Sequence, residues 1–198
     1  MTPLDVSRVG ADSRERIRMA ALRLFADRGV AASSLREVAR VAGVAPGLVV
    51  HHFGGKDGLQ ADVDGAVTDI FARALDSVLP QGPNTATLTP VEVVDRMFRD
   101  HPEAMDYLRR AVVTPSPGDE QLLAKLLQLT LDRTRAPVSW RPPSSDVPPV
   151  EQTVAVLVRL LGSRLVQPGL SRLWTVAQSD DPPPTIEVPL QWAGEQPT

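Results

Sequence analysis

The segment from Ser34 to Phe53 constrains the fold of this chain more than any other, because it predicts two short helices joined by a tight turn. Ser34 and Glu37 have the spacing of a capping box, in which the two side chains satisfy free backbone N–H groups at a helix start. Gly43 supplies the left-handed residue that ends a helix, and Pro46 suits the first turn of the next one. The segment therefore predicts a helix-turn-helix, whose second helix can lie in the major groove of DNA.

An amphipathic helix is predicted ahead of this segment. We expect Asp12 or Ser13 to cap its start and Gly29 to end it, after residues 1–11, which have no periodic pattern and are expected to form an arm. Its apolar residues fall at i, i+3, i+4, i+7 and i+8, which makes one stripe for the core. They are Ile17, Ala20, Ala21, Leu24 and Phe25.

A long helix is predicted after the segment. Apolar residues keep helical spacing from Lys56 to Pro80, so this helix can link the two halves of the chain mechanically. Gly65 is unexpected in its interior, since glycine costs about 1 kcal/mol relative to alanine there. The glycine predicts close packing or a bend.

The residues in and around the helix-turn-helix resemble the DNA-binding domain of the TetR family of one-component bacterial regulators. The family pattern is an Arg-led amphipathic helix, a Ser- or Thr-capped helix that ends in AGV, and a short recognition helix. The matching positions are Ala20, Ala21, Leu24, Phe25, Gly29, Ser34, Val38, Ala39, Ala42, Gly43, Val44, Gly47, His52, Phe53, Lys56 and Leu59. The rest of the chain carries no comparably specific signature.

Charge is distributed unevenly along the 198 residues, whose net charge is −3. Residues 1–56 hold nine Lys and Arg against five Asp and Glu, whereas residues 57–198 hold twelve against nineteen. A basic head on an acidic body is typical of a DNA-binding domain attached to a separate domain, although chance could also produce the split. No stretch is apolar enough to cross a membrane and no signal sequence is evident, so a cytoplasmic location is expected.

We expect an all-α fold with an N-terminal three-helix helix-turn-helix domain over 12–56. A C-terminal helical domain for effector binding and dimerisation would occupy 57–178, and a Pro-rich tail 179–198. The helices expected in the C-terminal domain are Pro90–Arg99, Pro102–Val113, Gln121–Arg135 and Val150–Val166, with a proline-rich connector at 136–149.

The resemblance implies which residues meet DNA. Ser34, Arg36 and Lys56 stand near helix starts, where backbone N–H groups and the helix dipole also favour a phosphate. Arg14 and Arg18 of the first helix are further phosphate candidates. The complete set proposed for the DNA contact is Ser34, Arg36, Ala45, Pro46, Gly47, Leu48, Val50, His51, His52 and Lys56.

Two positions depart from the family pattern. Val50 stands where the family usually has a tyrosine whose hydroxyl meets a phosphate, and Ala45 replaces the usual serine cap of the recognition helix. This helix also lacks Arg, Lys, Asn and Gln, the side chains that make bidentate contacts to bases. We therefore expect weaker or more shape-dependent recognition of bases than in a typical member.

The three histidines do not predict a metal site. His51 and His52 are adjacent on a helix and point about 100° apart, so they cannot readily chelate one ion. His52 matches a semi-buried family position, which favours packing. His101 lies at a helix break, where helix capping is favoured over a ligand contact. No cofactor is expected, and no enzyme motif is present.

A small hydrophobic effector and a second copy of the chain are the partners expected for the C-terminal domain. The candidate effector residues are Met97, Phe98, His101, Met105, Tyr107, Leu123, Leu127 and Trp140, although ordinary core packing is the more common role of such residues. Family members dimerise through their last helices, which implies contacts at Val154, Leu157, Val158, Leu161, Leu165, Leu173 and Trp174.

Two functions remain open. The first is a homodimeric transcriptional regulator, a repressor in the main interpretation, which binds a palindromic double-stranded DNA operator and is released by the effector. The alternative is a dimeric small-molecule sensor with weak or non-specific DNA binding, for which the departures at Val50 and Ala45 speak.

Overall fold

The chain is all-α over the residues that its computed structural model describes, which are 6–78, 90–134, 158, 161–162, 164–167 and 170–172. These ranges contain helices and turns and no strand, so the predicted fold class is confirmed. The helices are α1 (Val6–Arg28), α2 (Leu35–Ala42), α3 (Pro46–Phe53), α4 (Lys56–Val78), α5 (Pro90–Asp100), α6 (Pro102–Val113) and α7 (Asp119–Thr134). The described residues from 158 to 172 are helical as well.

Two compact units make up the chain. Unit 1 consists of Met1–Arg73 and His101–Leu126, and unit 2 consists of Ala74–Asp100 and Leu127–Thr198. Unit 1 therefore contains the predicted head at 12–56 together with most of α4, all of α6 and the first half of α7. The boundary lies within α4 instead of before it.

The core of unit 1 is formed by the apolar faces of its helices. The predicted stripe of α1 is confirmed, since all five of its members are buried. They pack with apolar residues from the other helices of the unit, and burial of each large side chain stabilises the fold by about 1.5–3 kcal/mol. The most deeply buried of these residues are Val38, Val49, Leu59, Val63, Val67, Met105, Tyr107, Leu108 and Leu122.

The start of α1 differs from the prediction. The helix begins at Val6, so Asp12 and Ser13 lie inside it and do not cap it. Most of the arm predicted at residues 1–11 is therefore helix. Ser13 is buried four residues before Ile17, so the inward-facing stripe continues through a small polar residue that an apolar pattern does not register.

The later helices lie close to their predicted bounds. Helix α6 has the predicted limits, α5 extends by one residue to Asp100, and α7 begins two residues earlier, at Asp119. The loop at 80–88, the connector at 136–149, the tail at 179–198 and most of the helix predicted at Val150–Val166 lie outside the described residues.

Unit 2 contains α5 and the described helical residues near the C-terminus. Val93, Val94 and Met97 are buried on α5, and Leu161 and Leu165 are buried in the later segment. Between those two leucines, Arg164 forms an ion pair with Asp95 of α5.

Two glycines of α4 have opposite surroundings. A Cβ atom at Gly58 would lie 1.9 Å from the backbone oxygen of Phe53, so the turn between α3 and α4 requires glycine there. A Cβ atom at Gly65 would have nothing within 4 Å. Close packing at Gly65, one of the two explanations offered by the sequence, is therefore wrong, and this glycine faces open space.

These two glycines make a matched test of the α3–α4 turn. We expect Gly58→Ala to lower the free energy of unfolding by roughly 1–3 kcal/mol, because the added methyl group forces the backbone apart. Gly65→Ala should raise it by up to about 1 kcal/mol, because alanine favours a helix interior. Urea denaturation followed by circular dichroism measures both changes, and equal effects of the two substitutions would contradict this account.

Candidate nucleic-acid interface

The capping box at the start of α2 is present as predicted. The backbone N–H of Glu37 donates to Ser34 Oγ at 3.2 Å, and the backbone N–H of Ser34 donates to Glu37 Oε2 at 3.1 Å. Hydrogen bonds from the backbone and hydroxyl of Ser34 hold the pKa of Glu37 below its ordinary value, and the nearby Arg28 contributes. Arg28 Nη1 donates to Glu37 Oε1 at 2.9 Å, which ties the end of α1 to the start of α2.

The turn between α2 and α3 has the predicted conformation. Gly43 is left-handed with φ of 66°, and Pro46 occupies the first turn of α3. Ala45 precedes α3 and makes no capping hydrogen bond with its side chain. Val49 and Phe53 are buried in the core, so packing holds the recognition helix in place without a side-chain cap.

The residues proposed for the DNA contact lie on α2, α3 and their flanks and on the first turn of α4, all within unit 1. The exposed ones are Ser34, Arg36, Ala45, Pro46, Gly47, Val50 and His51, while Leu48, His52 and Lys56 are half-buried. These residues are accessible enough to make the proposed contacts. The role of each one in DNA binding stays a prediction.

His52 packs against its neighbours. Its ring meets the ring of Phe53 edge-on with centroids 6.1 Å apart, and that of His51 at 5.5 Å. Its buried Nε2 atom has no hydrogen-bond partner within the described part of the chain. A group of three or more His, Asp or Glu side chains arranged for a metal ion is also absent there.

Two arginines of α2 are available to phosphates. Arg36 and Arg40 are exposed, lie four residues apart on one face of the helix, and form no ion pair with any described residue. The sequence interpretation omitted Arg40, although its i, i+4 relation to Arg36 was visible. Lys56 Nζ donates to the backbone oxygen of Ala31 at 3.1 Å, which leaves two further N–H groups of its ammonium for other acceptors.

The two arginines of α1 that the sequence proposed for phosphates are paired with a carboxylate of the protein itself. Arg14 Nη2 and Arg18 Nε each lie 2.5 Å from a carboxylate oxygen of Asp62 on α4. The guanidinium of Arg14 also lies 5.5 Å from the ring centre of Phe53. Burial alone would raise the pKa of Asp62, but the hydrogen bonds and charges of the two arginines outweigh it and lower the pKa. Asp62 therefore stays ionised and connects α1 to α4.

The family comparison covers this interface. A family of bacterial regulatory proteins, the tetR family, matches residues 17–63, from within α1 to the first turns of α4. Over residues 17–63 the chain has the sequence of the TetR family. The resemblance proposed from the sequence is thus confirmed. Members of this family are transcriptional regulators, and the expectation that the chain is not an enzyme agrees with its relatives.

Two mycobacterial regulators show similarity over more than the DNA-binding domain. The HTH-type transcriptional repressor KstR2 of Mycolicibacterium smegmatis is 30% identical over 125 residues, which are 63% of this chain and 58% of the relative. The HTH-type transcriptional regulatory protein RaaS of Mycobacterium tuberculosis is 33% identical over 112 residues, or 57% and 48% of the two chains. The chain thus matches about half the length of these relatives.

The fold is shared with solved structures of the family. The TetR-family protein CprB from Streptomyces coelicolor, solved with its operator sequence, has a TM-score of 0.51 and 20% identity, covering 84% of this chain and 86% of CprB. At this identity the similarity concerns the fold alone. Among the described helices of this chain, none is long and apolar enough to cross a membrane.

The candidate effector residues are divided between the two units and the part of the chain outside the described residues. Met105 and Tyr107 are fully buried in unit 1, where Leu123 is half-buried and His101 is exposed. Met97, Phe98 and Leu127 belong to unit 2, and Trp140 lies outside the described residues. His101 occupies the predicted position before α6, but its side chain makes no capping hydrogen bond.

Tyr107 has a polar partner in the core that the sequence did not reveal. Its hydroxyl donates to Asp64 Oδ1 of α4 at 2.9 Å, and both residues are almost fully buried. Burial raises the pKa of Asp64, although the hydrogen bond from Tyr107 opposes the rise. Burial also raises the pKa of Tyr107, and the adjacent charge of Asp64 adds to the effect. The pair joins α4 to α6 and is part of the core.

The proposed dimer residues differ in exposure. Leu161 and Leu165 are buried within their own chain, whereas Val158 and the nearby Val166 are exposed. Leu161 and Leu165 therefore offer little exposed apolar surface, and the dimer contacts stay a prediction. Val154, Leu157, Leu173 and Trp174 lie outside the described residues.

The stability of the buried Tyr107–Asp64 pair can be tested by substitution and by its dependence on pH. Tyr107→Phe should lower the free energy of unfolding by about 1–3 kcal/mol, because Asp64 loses its hydrogen-bond donor. Asp64→Asn retains an acceptor and removes the ionisable group, so it should cost less at pH 7.

The pKa of Asp64 is raised in the folded state. Asp64 therefore contributes fully to the free energy of unfolding below its unfolded pKa, about 4, and this contribution is lost as the pH rises through the folded pKa. Relative to wild type, Asp64→Asn should therefore become more stable between pH 4 and pH 7 in urea denaturation. The difference in the free energy of unfolding between the two proteins cancels the contributions of the other titrating groups. The opposite trend would contradict a raised pKa for Asp64.

Proposed function

We propose that this chain, whose residues 17–63 match the TetR family, is a transcriptional repressor that binds a palindromic operator as a homodimer and is released by a small, hydrophobic effector. The observation that carries the proposal is the helix-turn-helix itself. Its capping box, left-handed Gly43 and buried Val49 hold α3 with an exposed outer face, beside the unpaired Arg36. Most protein–DNA hydrogen bonds go to phosphates, which such a basic surface can supply.

Phosphate binding would come from α2 and α4. Arg36, Arg40 and Lys56 are basic, and Ser34 stands at the N-terminus of α2, where the helix dipole also attracts an anion. The relation to KstR2, a transcriptional repressor, supports repression as the direction of control. The operator complex of CprB supports the same mode of DNA binding.

Recognition of bases would depend on apolar contacts and on the shape of the DNA site. The exposed outer face of α3 offers Gly47, Val50 and His51, of which glycine permits close backbone approach and valine can meet a thymine methyl group. Without a bidentate side chain on α3, discrimination by hydrogen bonds would be shallow and the sequence-dependent shape of the site would matter more.

Release of the operator would depend on the distance between the two helix-turn-helix domains of the homodimer. In a homodimer the two α3 helices would enter successive major grooves about 34–36 Å apart. An effector bound in the C-terminal domain would favour a spacing that no longer fits, provided that it binds the released state more tightly. The exposed Val158 and Val166 support a partner surface in unit 2.

Fluorescence anisotropy with DNA flanking the protein's own gene tests the proposal, with an unrelated duplex as control. A preference of roughly a thousandfold for one palindromic site is expected from a specific regulator. Equal weak binding to both duplexes would favour the second candidate, a dimeric small-molecule sensor with weak or non-specific DNA binding. The observation that favours this candidate is the uncapped Ala45 together with Val50, which offers no hydroxyl.

Removing one phosphate contact should weaken binding and its dependence on salt. Arg36→Ala and Lys56→Ala are each expected to reduce operator affinity about tenfold, near 1.4 kcal/mol, because a charged hydrogen bond is lost. Each should also reduce the slope of log affinity against log salt by about one. Arg99→Ala on α5 is the matched control, since Arg99 is exposed but lies in unit 2. An equal loss in the control would show that overall charge, and not the contact, is measured.

Restoring the hydroxyl that the family usually has at position 50 should strengthen binding. The Val50 side chain is 49% exposed, so a larger one can be accommodated. Val50→Tyr is expected to tighten operator binding by roughly three- to tenfold through one neutral hydrogen bond to a phosphate. Val50→Phe adds the ring without the hydroxyl and should not reproduce the gain. Equal affinities of the two variants would argue against a phosphate contact at this position.

A further inference from the structure

A cavity of about 500 Å³ lies between α1 and α4 within unit 1, and His101 at the start of α6 also contributes to its lining. Cavities of this size hold small molecules. His101 is the one residue of the lining that the sequence proposed for an effector, and Arg18, which binds Glu15 and Asp62, is the one that it proposed for a phosphate. Helices α2 and α3 contribute no residue to the lining, so the cavity lies apart from the proposed DNA contact on those helices.

The walls of the cavity are largely apolar. Met19 and Leu22 of α1 face it from one side, and Val67 and Ile70 of α4 from the other. Gly65 lines it as well, and a Cβ atom at this glycine would meet nothing within 4 Å. Packing thus does not demand a glycine at this position, and its effect is to leave the space beside α4 open.

The charged groups of the lining fall into two sets. Arg18 binds both Glu15 and Asp62, with Arg18 Nη1 at 2.6 Å from Glu15 and Arg18 Nε at 2.5 Å from Asp62. Asp69 and Arg73 carry opposite charges four residues apart on α4, and neither forms an ion pair with a described residue, although the charge of Asp69 also acts on Arg18. One carboxylate and one guanidinium are therefore left to face a ligand beside an apolar wall.

We propose that this cavity binds a small zwitterion with an apolar body, such as a free apolar amino acid or a short apolar peptide. Its ammonium group pairs with Asp69, its carboxylate pairs with Arg73, and its side chain lies against Met19 and Ile70. A net-neutral ligand matches the cavity because the two free charges of the lining cancel. Guanidinium and carboxylate groups form the strong, charge-assisted hydrogen bonds that orient such a ligand.

The full-length protein can be tested without DNA, by isothermal titration with L-phenylalanine. Saturable binding with a Kd of roughly 0.1–10 mM is expected for a ligand of this size. Gly65→Leu fills the cavity and should weaken binding at least tenfold, whereas Gly65→Ala removes the same glycine without filling it and should change the Kd less than about threefold. Asp69→Asn and Arg73→Gln, on exposed side chains, should each weaken binding several-fold.

Two chemical controls test the charge assignment. Phenylalanine amide lacks the carboxylate and N-acetyl-phenylalanine lacks the ammonium, so both should bind several-fold more weakly than phenylalanine. Absence of saturable binding, or binding that Gly65→Leu leaves unchanged in a folded protein, would overturn the site. Equal binding of the amide would overturn the zwitterion class. Because no step involves DNA, these outcomes are independent of the proposed repressor function.

Discussion

A single carboxylate connects α1 and α4, the two 23-residue helices of this chain. Asp62 of α4 binds both Arg14 and Arg18 of α1, and it is held ionised by those two arginines. Helix α4 continues from unit 1 into unit 2, so Asp62 ties α1 to a helix that belongs to both units. Without Asp62, Arg18 would keep its ion pair with Glu15, and the more exposed Arg14 would keep its contact with the Phe53 ring.

The recognition helix depends on packing more than on capping. Ala45 gives α3 no side-chain cap, which costs roughly 0.5–2 kcal/mol compared with serine. Burial of Val49 and Phe53 offsets that cost, and Arg14 covers the Phe53 ring. The arginine that the sequence placed near phosphate thus has a structural role as well. The outer face of α3 remains free of such constraints, and base recognition can vary there without disturbing the fold.

Much of the local structure could be predicted because local chemistry decides it. The capping box of Ser34, the left-handed Gly43 and the bounds of α6 follow from spacing within a few residues, and all are observed. The start of α1 could not be predicted in this way, because Ser13 is polar yet buried. A pattern of apolar residues does not reveal a hydroxyl group that faces the core, so the stripe predicted from the sequence begins at Ile17 and leaves out Ser13.

By itself, the sequence determined the all-α class and the helix-turn-helix, since helical periodicity, caps and turns act between neighbours in the chain. Only the tertiary structure decided which charges meet and which space stays open. Asp62 meets Arg18 across 44 residues and Asp64 meets Tyr107 across 43, and nothing in local spacing indicates either pair. Gly58 and Gly65 are alike in sequence, yet one is needed because the Phe53 carbonyl approaches it and the other faces a cavity. Long-range packing determines these contacts, because it depends on how whole helices cross.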